Sequence, residues 1–275
     1  MRASSEAARE AGRDRLIALI AEDGETAQTL SGELFALADL LNDQPKVAAA
    51  LTDPTRAGED RARLAERLLT SVTPACRDIV ATMARQRWSH IDDLAHAADD
   101  LGAQALAIHA RSRGVSEQLR NDLFDAEEVI ANHRDLRITL SERGQLSAGD
   151  RVGIIHRIFD GKVSQDAVTL LERAVRAEGA GHIASTLRRY RDDVAAIEGV
   201  TIATVHAATT PTEEQVERLR RALSTKMGCD VVLNVAQDPE LVGGMRVSVG
   251  STIYDGTIRS ALDEAERRLA GKARA

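Results

Sequence analysis

The chain has 275 residues, room for one large domain or two to three small ones, and 29% of them are charged and 43% hydrophobic, the balance of a globular protein. A formal net charge of -7 argues against free nucleic acid as a partner, because that binding needs a basic footprint to displace counterions. One Trp, two Tyr and three Phe leave few stacking platforms for single strands and hand the core to Ala, Leu, Val and Ile, whose burial contributes less per residue than aromatic burial does.

The chain reads as helix from the start to about Glu198, with apolar residues recurring at three- and four-residue spacing. Leu16, Leu19 and Ile20 mark a first stripe, and Leu34, Leu37, Leu40 and Leu41 a second. Pro45 and Pro54 punctuate the turns that follow. Thr73-Pro74 predicts a helix start, a cap residue followed by proline at the first helical position, and Ile79, Val80 and Met83 give that helix its buried face. Leu94, Leu101 and Ile108 keep seven-residue spacing between Ile91 and Arg113, which predicts one long helix shared by the segments on either side. Gly102 and Gly114 count against it, since an interior glycine costs ~1 kcal/mol relative to alanine.

Sliding the helical region by roughly 90 residues brings out an internal repeat. Leu34-Phe35 falls on Leu123-Phe124, Leu40-Leu41 on Val129-Ile130, Val47 on Leu136 and Leu51 on Leu140. With one-residue loop insertions, Arg61 falls on Arg151, Leu68-Leu69 on Ile158-Phe159, and Ile79-Val80 on Leu170-Leu171. The matches sit on the apolar stripes, where a shared fold constrains residue type. The expected organisation is a helical bundle over 1–108, a second bundle-like repeat over 109–198, and a different unit over 199–275.

Composition changes after Glu198. Gly199 to Val205 is β-branched and predicts a strand. Thr210-Pro211-Thr212-Glu213 predicts a helix capped by Thr210, with Glu213 completing a capping box. Val216, Leu219, Leu223 and Met227 form its inner face and Gly228 ends it. Asp230 to Val235 is a second strand. Met245 to Val249 is a third, continuing through Ile253-Tyr254 after a kink at Gly250 until Asp255-Gly256 stops it. Ile258, Leu262, Ala265 and Leu269 make the inner face of a closing helix. The fold class is therefore mainly α, a duplicated helical bundle followed by a small β-α-β-β-α unit.

No motif of catalysis stands out. Gly243-Gly244 with Gly250 lacks the Gly-Lys-Ser/Thr ending of a phosphate loop, and a strand follows it instead of a helix. Asp160-Gly161-Lys162 is a short turn between helices. The histidines at 90, 96, 109, 133, 156, 182 and 206 include no pair at i, i+4 and no His-Glu-x-x-His, so they read as surface or packed residues and not as metal ligands. Asp92-Asp93 and Asp99-Asp100 are neighbours on a helix, where adjacent side chains diverge, and neither is a ready acid/base dyad. No Gly-x-Ser-x-Gly elbow occurs. Cys76 and Cys229 give neither a zinc site nor a disulfide framework, as expected of a reducing compartment. Arg2, Arg9, Arg13 and Arg15 come without an apolar signal core, and no apolar run is long enough to span a bilayer. Catalytic, cofactor and metal residues are expected to be none.

The order Asp238-Pro239-Glu240-Leu241-Val242-Gly243-Gly244, the alternating Met245 to Gly250, and Asp255-Gly256-Thr257-Ile258-Arg259 resemble the C-terminal signature of the delta subunit of F-type ATP synthases, the oligomycin-sensitivity-conferring protein family. Residues read directly, Pro239 fixes φ where the chain leaves a strand, Gly243-Gly244 allows a bulge or positive φ, and the alternation suits a half-buried strand. The resemblance implies a non-catalytic peripheral-stalk subunit at the cytoplasmic face of the cell membrane, joined to the membrane only through its complex. Family members open with one six-helix bundle, so this chain looks like a long form with an extra helical segment. The implied partners are the N-terminal tails of the alpha subunits, held in a groove near Leu16, Ile20, Ile79 and Met83, and the C-terminal end of the b subunit, held by the last unit. The alternative is a helical module that binds RNA or a transcription factor.

Overall fold

The structure is a computed structural model, and it describes residues 3–20, 23–141, 146–176, 183–238, 241–249 and 252–257. Eleven helices come first among the described residues: α1 Ala3–Ile20, α2 Gly24–Asp43, α3 Pro45–Thr52, α4 Gly58–Leu68, α5 Pro74–Arg85, α6 Asp93–Ser112, α7 Ser116–Asn132, α8 Arg134–Ser141, α9 Ala148–Phe159, α10 Gln165–Arg176 and α11 Ile183–Glu198. A mixed α/β unit follows, with β1 Thr201–Ala207, α12 Glu213–Met227, β2 Val231–Gln237, β3 Gly244–Val249 and β4 Thr252–Thr257.

The helical region is a tandem. The order α2 to α6, long-short-medium-medium-long, recurs as α7 to α11. Burial repeats position by position: Leu30, Leu34, Leu37 and Leu41 of α2 are buried, as are Leu119, Leu123, Ala126 and Ile130 of α7. Two polar devices repeat as well. The Glu33 carboxylate on α2 accepts the Thr73 backbone N–H at 2.7 Å, where Thr73 caps α5, and Asp122 on α7 accepts the Ser164 N–H at 2.8 Å ahead of α10. Thr73 Oγ1 in turn accepts the Cys76 N–H at 3.2 Å, and Ser164 Oγ accepts that of Ala167 at 3.4 Å. Each capping oxygen satisfies one of the orphan donors of a helix start, and each carboxylate ties that start to a distant helix.

The long helix expected across the junction forms, and it is shared. Leu94, Ala97, Ala98, Leu101, Ala105 and Ile108 of α6 belong to the first core, with α1 to α5. Ala103, Leu106, Ala107 and Ala110 belong to the second, with α7 to α11. A cut between 108 and 109 therefore falls inside a helix. Gly102 is no weak point. A Cβ there would stand 2.7 Å from two ring carbons of Phe35 on α2, so the missing side chain admits the ring between the two bundles. Gly114, at φ +70°, lies just past the end of α6.

In the last unit the sheet order is β2-β1-β3-β4. β1 and β2 are parallel, which requires the crossover that α12 supplies, and the other pairs are antiparallel. Ala203, Val205, Val231, Val247 and Val249 face Leu223 of α12 in a third, small core. Two expectations need correction. The α12 cap is Thr212, boxed with Gln215, and not Thr210 with Glu213. Ile253-Tyr254 does not prolong the third strand; the chain returns as β4, with Val249 opposite Thr252 and Val247 opposite Tyr254. Asp255 and Gly256 lie within β4 opposite Arg246 and Met245, so pairing along the β3 edge overrides the turn preference of Asp-Gly. Gly228 ends α12 as expected, at φ +71°. Pro239, Gly250 and the closing helix of Ile258, Leu262, Ala265 and Leu269 lie outside the described residues.

The second bundle carries the sheet through Arg191 of α11, 1% exposed. Its guanidinium lies 5.2 Å from the Phe124 ring centre and donates to Glu127 Oε2 and to Thr204 Oγ1 on β1, each at 3.2 Å.

Candidate partner-binding surfaces

Leu16 and Ile20 of α1 and Ile79 and Met83 of α5 come together, at 0 to 1% exposure, inside the first core. They hold the two helices against each other and line no open groove in the free chain. The approach is close: a Cβ on Gly12 would lie 2.7 Å from Met83 Cγ. The outer ridge of this seam carries the Arg15–Asp78 ion pair, with Nε to Oδ2 at 2.6 Å, and Ile17 at 47% exposure.

The repeat gives the same four positions in the second bundle as Leu106, Ala110, Leu170 and Ala174, all buried. Over this seam lies α2. Phe35 joins Leu106, Ala103 and Ala107 in the second core. The Arg173 guanidinium of α10 sits 4.9 Å from the Phe35 ring centre, and its Nη1 donates to Asp39 Oδ1 at 2.7 Å.

The junction of the bundles is a network of buried charge around Asp99 and Asp100, whose partners the sequence did not reveal. Asp99 accepts from Arg173 Nε at 2.6 Å and from the Tyr190 hydroxyl at 2.9 Å, and Arg189 pairs with Asp100 at 2.5 Å. Burial raises the Asp100 carboxyl above its ordinary range, with Asp99 adding to the rise and Arg189 and Arg9 opposing it. Asp193 is pushed up to about 6, chiefly by burial and then by Asp100, against the pull of Arg189, Arg9 and Arg13. Asp99 pairs with Arg173 and Asp100 with Arg189, contacts that join α6 to α10 and α11. Arg61 plays a similar part alone, donating to the carbonyls of Ala84, Asp53, Arg56, Arg85 and Gln86. Its match to Arg151 in the repeat was the one sequence signal of such a role. Among the described residues no group of His, Cys, Asp and Glu is placed to hold a metal ion, and no helix is long and apolar enough to cross a membrane.

The signature residues of the last unit set its backbone. Asp238 follows β2, its N–H donating to the Ala207 carbonyl at 2.9 Å. Gly243 lies in a bend, and Gly244 opens β3 at φ +84°, where a Cβ would meet the Gly256 carbonyl oxygen at 2.3 Å. Gly256 is close-packed on the other side, 3.2 Å from the Met245 carbonyl oxygen for an added Cβ. The Asp255 carboxylate accepts the Thr257 hydroxyl at 2.7 Å and its N–H at 3.0 Å, bonds that hold its pKa below the ordinary carboxylate range.

This two-part architecture, with the Gly244–Gly256 contact at the base of its hairpin, meets a known family. The sequence profile of the ATP synthase delta (OSCP) subunit matches residues 101–269. The chain belongs to the ATP synthase delta (OSCP) subunit family. An ATP synthase subunit delta of Beutenbergia cavernae is 39% identical over 98% of this chain and 100% of its own length. That of Kineococcus radiotolerans is 35% identical over 92% and 91%, and that of Streptomyces coelicolor 32% identical over 98% of each. A chain of the Toxoplasma gondii mitochondrial ATP synthase hexamer is a looser likeness, with a TM-score of 0.36 and 16% identity over 61% of this chain and 94% of that one. The family profile begins inside α6, so the delta subunit's common region is the second bundle and the sheet. The first bundle lies ahead of that region, and these delta relatives align across it too.

Proposed function

We propose that this chain is a non-catalytic stator subunit of a proton-translocating ATP synthase, joining the catalytic head to the membrane-anchored b stalk at the cytoplasmic face of the membrane. The observation that carries the reading is the match to delta subunits over nearly the whole chain. The fold supports it mechanically. A stator must resist torque, and here one helix serves two bundles while buried ion pairs and Arg191 lock the remaining joints. Such joints favour sustained, tight contact over transient encounter.

In this reading the units are residues 1–108, 109–198 and 199–275, the first two hinged on nothing because α6 is common to both. The alpha-subunit tails dock along the α1–α5 seam, whose spacing Leu16, Ile20, Ile79 and Met83 set from beneath. The second bundle's matching seam is covered by α2 and is less suited to the task. The last unit holds the b subunit. Deleting residues after Glu198 is expected to release the catalytic head from membranes into the soluble fraction. Membranes that keep coupled ATPase activity after that deletion reject the reading.

A further inference from the structure

His156, on α9, has a carboxylate at each ring nitrogen. Its Nδ1 lies 2.9 Å from Oδ1 and 3.1 Å from Oδ2 of Asp160, the residue that ends α9. Its Nε2 lies 3.1 Å from Glu172 Oε1 on α10. An ionised carboxylate only accepts hydrogen bonds, and a neutral imidazole has one N–H to give. Both contacts are therefore hydrogen bonds only when the ring carries both protons. His109 and His133 differ: each turns Nδ1 to a backbone carbonyl, that of Gly24 or of Val129, a bond the neutral ring can make.

The shared fold does not ask for this arrangement. Continuing the repeat places Glu66, Thr70 and Ala81 of the first copy where His156, Asp160 and Glu172 stand in the second, and those three include no cation. The tie is an addition to one bundle, between two helices that pack against each other, α9 and α10. The hydrogen bond to Asp160 raises the ring's pKa above the ordinary histidine value, burial opposes the rise, and the charges of Asp160 and Glu172 add to it. Arg157, the next residue along, acts on Asp150 near the start of α9.

We propose that His156 is a proton-operated clip between α9 and α10, closed when the imidazole is charged and open when it is neutral, which gives the second bundle an acid-strengthened tie that the first lacks. The sign follows from the geometry. The imidazolium bridges acids on two elements, whereas the neutral ring turns a lone pair toward one of them. The clip's contribution is fully present below the ordinary ring value of 6.5 and is lost as pH rises through the higher folded value. His156 keeps 40% of its side chain exposed, so the pairs are screened by solvent and their effect is local.

The test uses the full chain. NMR of histidine-labelled protein, with the His156 signal assigned by its loss in His156→Gln, is expected to show a titration midpoint above 6.5 that falls in Glu172→Gln. Amide hydrogen exchange gives the second readout, as protection over the unfolded rate at each pH. Protection in α9 and α10 is expected to be about two- to fivefold greater in the wild type than in His156→Gln at about pH 6, the size exposed ion pairs give, with the difference gone at about pH 9. A midpoint at or below 6.5, a midpoint unmoved by Glu172→Gln, or a protection difference that is the same at both pH values, zero included, overturns the proposal. If His156→Gln melts early, the wild-type and Glu172→Gln titrations decide.

Discussion

Gly102 shows how a residue's meaning depends on its neighbours. By propensity it weakens a helix, and an interior glycine-to-alanine change normally gains ~1 kcal/mol. Here the space is taken: the Phe35 ring occupies the place of the missing Cβ, in a core already filled with alanine. Gly102→Ala is expected to destabilise the protein by about 1–3 kcal/mol, the range for overpacking a close-fitted core. Gly32 on the same partner helix α2 has nothing within 4 Å of an added Cβ. Gly32→Ala is therefore expected to stabilise by about 0.5–1 kcal/mol, from lost freedom in the unfolded chain. Urea denaturation of both variants checks the pair, and changes of the same sign contradict the account.

At the scale of elements, the caps and the repeat are one subject. Thr73-Pro74 was legible as a helix start because cap chemistry is local. That Glu33, forty positions away, closes the same cap was not legible, since nothing in the sequence says which carboxylate reaches it. The match of Glu33 with Asp122 gives a prediction. Glu33→Ala and Asp122→Ala each leave a backbone donor without its acceptor, and each is expected to cost about 1–3 kcal/mol. Similar losses in the two, measured by denaturation, support equivalent roles, while a neutral result in either removes that cap from the shared design. In the last unit the local signals misled. Asp255-Gly256 has the composition of a turn, yet the cross-strand partners Arg246 and Met245 hold it in a strand.

For the whole molecule, the junction of the bundles is where stability meets pH. The Asp193 carboxyl, at about 6 in the folded chain, lies above its ordinary value of 3.8, so folding is linked to proton uptake. Its contribution to stability is fully present below about 3.8 and is lost as pH rises through about 6. Asp193→Asn should keep that contribution at all pH values. Its melting midpoint is expected to match the wild type near the acid end, to draw ahead between the two values, and to hold a constant lead above pH 7. A lead that does not change with pH contradicts this, as does a variant that melts lower throughout. The groups facing Asp193 are Asp100, Arg189, Arg9 and Arg13, from α6, α11 and α1, so the same titration reports on how the first bundle seats on the second.

The sequence by itself determined the helical class, the change of character after Glu198, the repeat of about 90 residues and the family. The helical class, the change of character and the repeat are written in periodicity, local capping and short-range turn chemistry, which survive without knowledge of the fold, while the family rested on the resemblance of the stretches 238–250 and 255–259 to a known signature. The seven-residue spacing already pointed to the shared α6; only the tertiary structure decided that Phe35 of α2 and Arg173 of α10 meet between the bundles and that the last strand doubles back. Those outcomes depend on which surfaces meet across long stretches of chain. The partner of a buried arginine or an exposed leucine is set by packing, and a one-dimensional pattern shows that a face is apolar without showing what covers it.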